Sequence, residues 1–136
     1  MRLAGGTLSL GELQGKLVIV DFWDTWCGPC RIALPHLQAL SEAYASDLVV
    51  VGVAMGQEGE AKVRQYVSQQ KLTFELVLYD PESSVVADFG GLRGIPTTFL
   101  IGTDGIILEK WVGAKSQSVY EKAVKAALAP SGPADS

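Results

Sequence analysis

Three short runs dominated by Val, Leu and Ile, at 17–23, 47–55 and 74–79, are separated by stretches in which apolar residues recur every three or four positions. The first run, LVIVDFW, reads as a long strand rich in β-branched residues. From Pro29 onward Ile32, Leu34, Leu37, Leu40 and Tyr44 fall at helical spacing, with Pro35 inside the pattern to bend it. DLVVVGVAM (47–55) is the unbroken apolar run of a buried parallel strand, and EGEAKVRQYVSQQK (58–71) a helix with acids first and a base last, as the helix dipole prefers. FELVLY (74–79) predicts a third strand. DPESSVVADFGG (80–91) then predicts a short helix with Asp80 as N-cap, Pro81 at its first position and Gly90 ending it. TTFLIG (97–102) and GIILEKWVG (105–113) flank the turn TDG as a hairpin, and SQSVYEKAVKAALA (116–129) closes the pattern as an amphipathic helix. Ahead of all this, Thr7 to Leu10 with GELQGK reads as a short strand or turn, and 130–136 as a flexible tail.

Strands alternating with helices, then a hairpin and a last helix, imply an α/β fold with a central mixed sheet covered by helices on both faces. Neither a repeat nor a linker interrupts the chain, so 1–136 is expected to be a single domain with its core at about 7–128. With 136 residues, 48% of them hydrophobic, such a domain buries about two thirds of its unfolded surface. The net charge of −4 and singly placed Lys and Arg leave no basic stripe, which argues against nucleic acid as a partner. No apolar stretch approaches the roughly 18 residues of a membrane span. MRLAGGTLSLGEL lacks the apolar core of a secretory signal, leaving a cytoplasmic protein or one whose leader or anchor has been removed.

The chemistry lies where the first strand ends. Cys27 and Cys30 are the only cysteines. A disulfide between them closes too short a loop to act as a staple, because the stabilisation grows with loop length. A structural zinc needs four ligands, and the chain has two Cys and one His, His36, which reads as an exposed or partly packed helical residue; no metal is expected. A redox dithiol remains. At the N-terminal edge of a helix, unpaired N–H groups and the dipole stabilise a Cys27 thiolate, in motifs of this type to a pKa of roughly 3.5–7.5. Cys30, one turn further in, is more shielded and stays protonated until needed. Gly28 permits the tight entry to the helix, and Pro29 lacks an N–H that would have had no partner there.

DFWDTWCGPC resembles the active-site segment of the thioredoxin superfamily. Pro35 matches its kinking proline, RGIPTTFLI (93–101) the loop with a cis proline facing the cysteines, and VGA (112–114) the glycine segment after the last strand. The 66 positions from Cys30 to Pro96 hold an extra helix and strand between the active-site βαβ unit and that loop, which is similar to the TlpA-like or ResA-like thiol–disulfide oxidoreductases. The resemblance implies a thioredoxin-like fold, a redox-active disulfide in place of any dissociable cofactor, protein disulfides as substrates (apocytochrome c among them) and an upstream dithiol donor. It also implies a monomer in a periplasmic or other extracytoplasmic setting, serving cytochrome c maturation or redox homeostasis. Cys27 would be the nucleophile, Cys30 the resolving thiol, and Trp26, Ile95 and Pro96 the substrate-binding surface, with Trp23 as packing.

Asp21 falls where thioredoxins carry a buried acid and ResA-like proteins a neutral residue, while the ResA-like acid position falls on Gln57 with Glu58 beside it. Asp21 either faces solvent at the strand's end or, on a strand buried on both faces, is desolvated, which would raise its pKa and suit it to take the Cys30 proton, directly or through water. Glu58 is the weaker candidate, with a helix N-terminal charge as its plain role. Two other activities would use the same dithiol. A thiol peroxidase needs threonine and proline at the positions of Asp24 and Val20, and a copper chaperone needs a further His or Met near the loops.

Overall fold

Residues 1–129 are described by the computed structural model; the stretch read as a flexible tail, 130–136, lies outside them. The elements follow as β1 (Leu17–Trp23), α1 (Gly28–Ala43), β2 (Leu48–Ala54), α2 (Glu60–Gln70), β3 (Glu75–Leu78), α3 (Val85–Asp88), β4 (Thr97–Ile101), β5 (Ile107–Val112) and α4 (Gln117–Leu128). They form one mixed sheet in the order β3-β2-β1-β4-β5, with β1, β2 and β3 mutually parallel, β4 antiparallel to β1 and β5 antiparallel to β4. The inserted strand β3 thus forms one edge of the sheet, and β1, which leads to the cysteines, lies at its centre.

Alternation along β1 divides the core. Leu17, Ile19 and Trp23 pack with Leu34, Leu37 and Leu40 of α1, Val63 and Tyr66 of α2, and Tyr120 and Val124 of α4. Val18, Val20 and Phe22 pack on the other face with Phe89 and Phe99, beneath Leu8, Leu13 and the 85–95 segment. All seven β1 residues are buried, so the strand carries an apolar run on both faces. Gly52 sits opposite Asp21 on β2; a Cβ there would come within 2.9 Å of the Phe74 ring and 3.0 Å of Trp23 Nε1, so the strand is bare where the indole crosses it.

Of the strand or turn expected before β1 the structure has the turn, a 3₁₀ turn at Leu10–Leu13 capped by a reciprocal capping box of Ser9 and Glu12. Other sequence expectations change. Asp80 caps no helix: its carboxyl accepts from the Glu82 N–H in an Asx turn, and α3 begins five residues later. Ile32 lies on the solvent side of α1, 60% exposed, despite its helical spacing. The core also begins before residue 7, since the Leu3 N–H donates to the Leu76 carbonyl, the Leu78 N–H to the Met1 carbonyl, and Arg2 pairs with Glu75. At the opposite edge helical cover gives out: five of six β5 residues are exposed, and only Trp111 is packed, edge-on to Tyr120.

Candidate active site

The centre of the site follows from where β1 stops. Cys27 is the N-cap of α1 and accepts, through Sγ, the Cys30 backbone N–H at 3.2 Å. Gly28 and Pro29 make the first turn, and the two sulfurs are joined as a disulfide with the Cα atoms 5.2 Å apart. Cys27 is 2% exposed and Cys30 fully buried. The cap is the chemically important feature: N–H groups free at a helix start stabilise negative charge on Cys27 once the disulfide is reduced.

Facing the disulfide is the loop before β4. Its Ile95–Pro96 peptide is cis, Pro96 is buried, and the Ile95 carbonyl oxygen lies 3.6 Å from Cys27 Sγ. Trp26 is 51% exposed beside Cys27, whereas Trp23 is buried against Tyr66. Disulfide, Trp26 and the Ile95–Pro96 backbone therefore meet at one surface. His36 stands apart on α1, half-buried, its Nδ1 3.4 Å from Gln117 Oε1.

Asp21 lies beneath this surface. Strand alternation puts it between Ile19 and Trp23, on the face where Cys27, Cys30 and α1 pack, and it is wholly buried. Its Oδ1 accepts the Thr98 hydroxyl at 2.7 Å and its Oδ2 has no partner. Burial pushes its pKa up to about 7, against a smaller opposing effect of the Thr98 hydrogen bond. Thr98→Val removes the donor that favours the charged form. The expected result is a further rise of the Asp21 pKa, read from the carboxyl infrared band or ¹³C shift against pH; a fall would contradict the assigned cause.

Glu58 is placed differently. It is exposed, stands directly before Gly59, the N-cap of α2, and accepts the Thr25 hydroxyl at 2.9 Å.

Three residues outside the predicted set shape the site. Thr98 was hidden because only the pairing of β1 with β4 brings it to Asp21. Tyr120, fully buried on α4, holds the Lys115 N–H on its hydroxyl, and burial raises its pKa. Asp24, at the position where a thiol peroxidase needs threonine, is fully buried and takes hydrogen bonds from the Thr25 N–H, Trp26 Nε1 and the Gln57 N–H. An acid between two tryptophans was the visible signal, but its partner Gln57 is 33 residues away.

Among the described residues no three His, Cys, Asp or Glu side chains converge as a metal-ligating group, and no helix is long and apolar enough to cross a membrane.

The model of the AhpC/TSA family matches residues 1–110. The thioredoxin-like protein YneN of Bacillus subtilis is 32% identical over 122 residues, 88% of this chain and 70% of that protein. The thiol–disulfide oxidoreductase ResA of Halalkalibacterium halodurans is 33% identical over 120 residues, 88% of this chain and 67% of that one. Among solved structures, a thioredoxin-family thiol:disulfide interchange protein from Chlorobium tepidum superposes with a TM-score of 0.84 at 32% identity, over 93% of this chain and 90% of its own.

Proposed function

Because the chain belongs to the AhpC/TSA family, within its thioredoxin-like thiol–disulfide oxidoreductases, we propose that it works as a reductant of disulfides in protein substrates. The observation that carries this reading is the Cys27 sulfur at a helix N-cap, 3.6 Å from the Ile95 carbonyl of the cis-proline loop.

In the reduced protein the Cys27 thiolate attacks a substrate disulfide; a mixed disulfide forms and the second substrate sulfur leaves as thiolate. Cys30 gives its proton to Asp21 and attacks Cys27 Sγ, which closes the internal disulfide and frees the first substrate sulfur. Two electrons pass from the dithiol to the substrate, and an upstream dithiol donor restores the starting state. Asp21 is suited to the transfer because a carboxyl titrating near neutral pH exists in both forms under working conditions. Gly28 and Pro29 set the turn that holds the two sulfurs in reach. The backbone at Ile95 and Pro96 pairs with an extended substrate segment in the manner of strand addition, and Trp26 covers the substrate beside it. Resemblance to ResA-like proteins supports an extracytoplasmic site of action, with apocytochrome c among the substrates and a monomer as the working unit.

The test is turnover. With dithiothreitol as donor, a catalytic amount of the chain is expected to speed reduction of the interchain disulfides of insulin, read as precipitation of the freed chain. A rate equal to that of dithiothreitol alone would refute the proposal.

A further inference from the structure

Asp24 is an expensive residue to bury. A polar group withdrawn from water is unfavourable unless hydrogen-bonded, and the donors its carboxyl takes here come from the loops after β1 and β2. Oδ1 accepts the Thr25 N–H at 2.8 Å, while Oδ2 accepts both Trp26 Nε1 at 3.0 Å and the Gln57 N–H at 2.9 Å. The two donors on Oδ2 come from different loops, those after β1 and β2, that line one feature. Trp26 and Gln57, with Met55, Leu92, Arg93, Gly94 and Ile95, line a groove of about 460 Å³. The groove ends at the Ile95 carbonyl, beside Cys27 Sγ.

An exposed indole held only by its Cβ would sample several rotamers, and a substrate would have to order it on binding. A single buried oxygen shared between the indole and the β2–α2 loop removes that freedom before binding. We infer that Asp24 is a positioning residue: it fixes Trp26 against the 55–57 loop, so that a preformed groove receives an apolar side chain flanking the substrate cysteine. Trp26, Met55, Leu92 and Ile95 make the walls mainly apolar, with Gln57 and Arg93 as the polar side chains on them, and the Ile95 carbonyl 3.6 Å from Cys27 Sγ sets the groove beside the reactive sulfur; together these select that occupant. This inference rests on the reductase reading above. It makes Asp24 a determinant of substrate choice, not a group that touches the reacting sulfurs.

The test compares kcat/KM for two disulfides, a disulfide-linked peptide with leucine beside its cysteine and bis(2-hydroxyethyl) disulfide, which is too small to fill the groove. Asp24→Asn turns one acceptor oxygen into a donor facing N–H groups. The expected result is at least a tenfold fall in the peptide-to-small-disulfide ratio, expressed mainly in the peptide KM. Replacing Trp26 by benzothienylalanine keeps the ring and deletes only its N–H, so it probes the same link without altering the buried carboxyl. The ratio is then expected to fall at least threefold. Ratios unchanged within twofold in the analogue, or in folded Asp24→Asn, would overturn the inference while leaving the reductase reading intact. A wild-type chain that reduces neither disulfide would overturn both.

Discussion

Cys27→Ser is expected to lower the rate of protein disulfide reduction at pH 7 by roughly a thousandfold or more, to the level of the donor alone. Serine fits the N-cap and keeps the bond to the Cys30 N–H, so the fold should persist. What is lost is the only sulfur at the helix start. A hydroxyl does not ionise near neutral pH, and the remaining thiol, Cys30, is fully buried one turn inside. Cys30→Ser has the opposite profile: the first attack survives and the cycle halts at the mixed disulfide. Stopped-flow kinetics with excess disulfide separate the two. Comparable losses of the first step in both variants would mean that the division of labour between the sulfurs is wrong.

Asp21→Asn is expected to change stability and kinetics together. The folded chain holds the Asp21 proton up to about pH 7, whereas an unfolded chain releases it near 3.8. Unfolding between those values therefore releases a proton, and the stability of the native protein falls as pH rises through the window. Above about pH 7 the buried charge costs the fold on the order of 4 kcal/mol. Asparagine keeps an acceptor for the Thr98 hydroxyl and cannot ionise. In urea denaturation of the oxidised proteins the two chains should differ by no more than about 1 kcal/mol at pH 4, and the variant should be more stable by roughly 2–4 kcal/mol at pH 8. Resolution of the mixed disulfide should meanwhile slow on the order of a hundredfold at pH 7, and its inflection near pH 7 should vanish. A variant that is stabilised yet resolves normally would make Asp21 a buried cost without a catalytic use.

How far the sequence carried these conclusions depended on the range of each interaction. The strands, the helices α1, α2 and α4, and the Cys27 cap were legible because their signals are local: apolar periodicity, a glycine and proline after a cysteine, an acid inside a buried run. The burial of Asp21 was readable from Val18, Val20 and Phe22 alternating against it, although its Thr98 partner was not, since register between strands 77 residues apart leaves no mark in either. Local signals also misled. Asp80-Pro81 has the form of a helix start, yet the Asx turn satisfies the backbone first and the helix waits until Val85. Ile32 obeys helical spacing but faces water, because spacing counts neighbours without saying which side the sheet is on. Asp24 was read only for the residue it was not, and its partners come together when the loops after β1 and β2 meet.

The most direct measurement is intact-protein mass spectrometry of Cys27→Ser and Cys30→Ser after incubation with one disulfide peptide. The account predicts a stoichiometric adduct, released by dithiothreitol, on Cys30→Ser and none on Cys27→Ser. An adduct on Cys27→Ser with none on Cys30→Ser would contradict it.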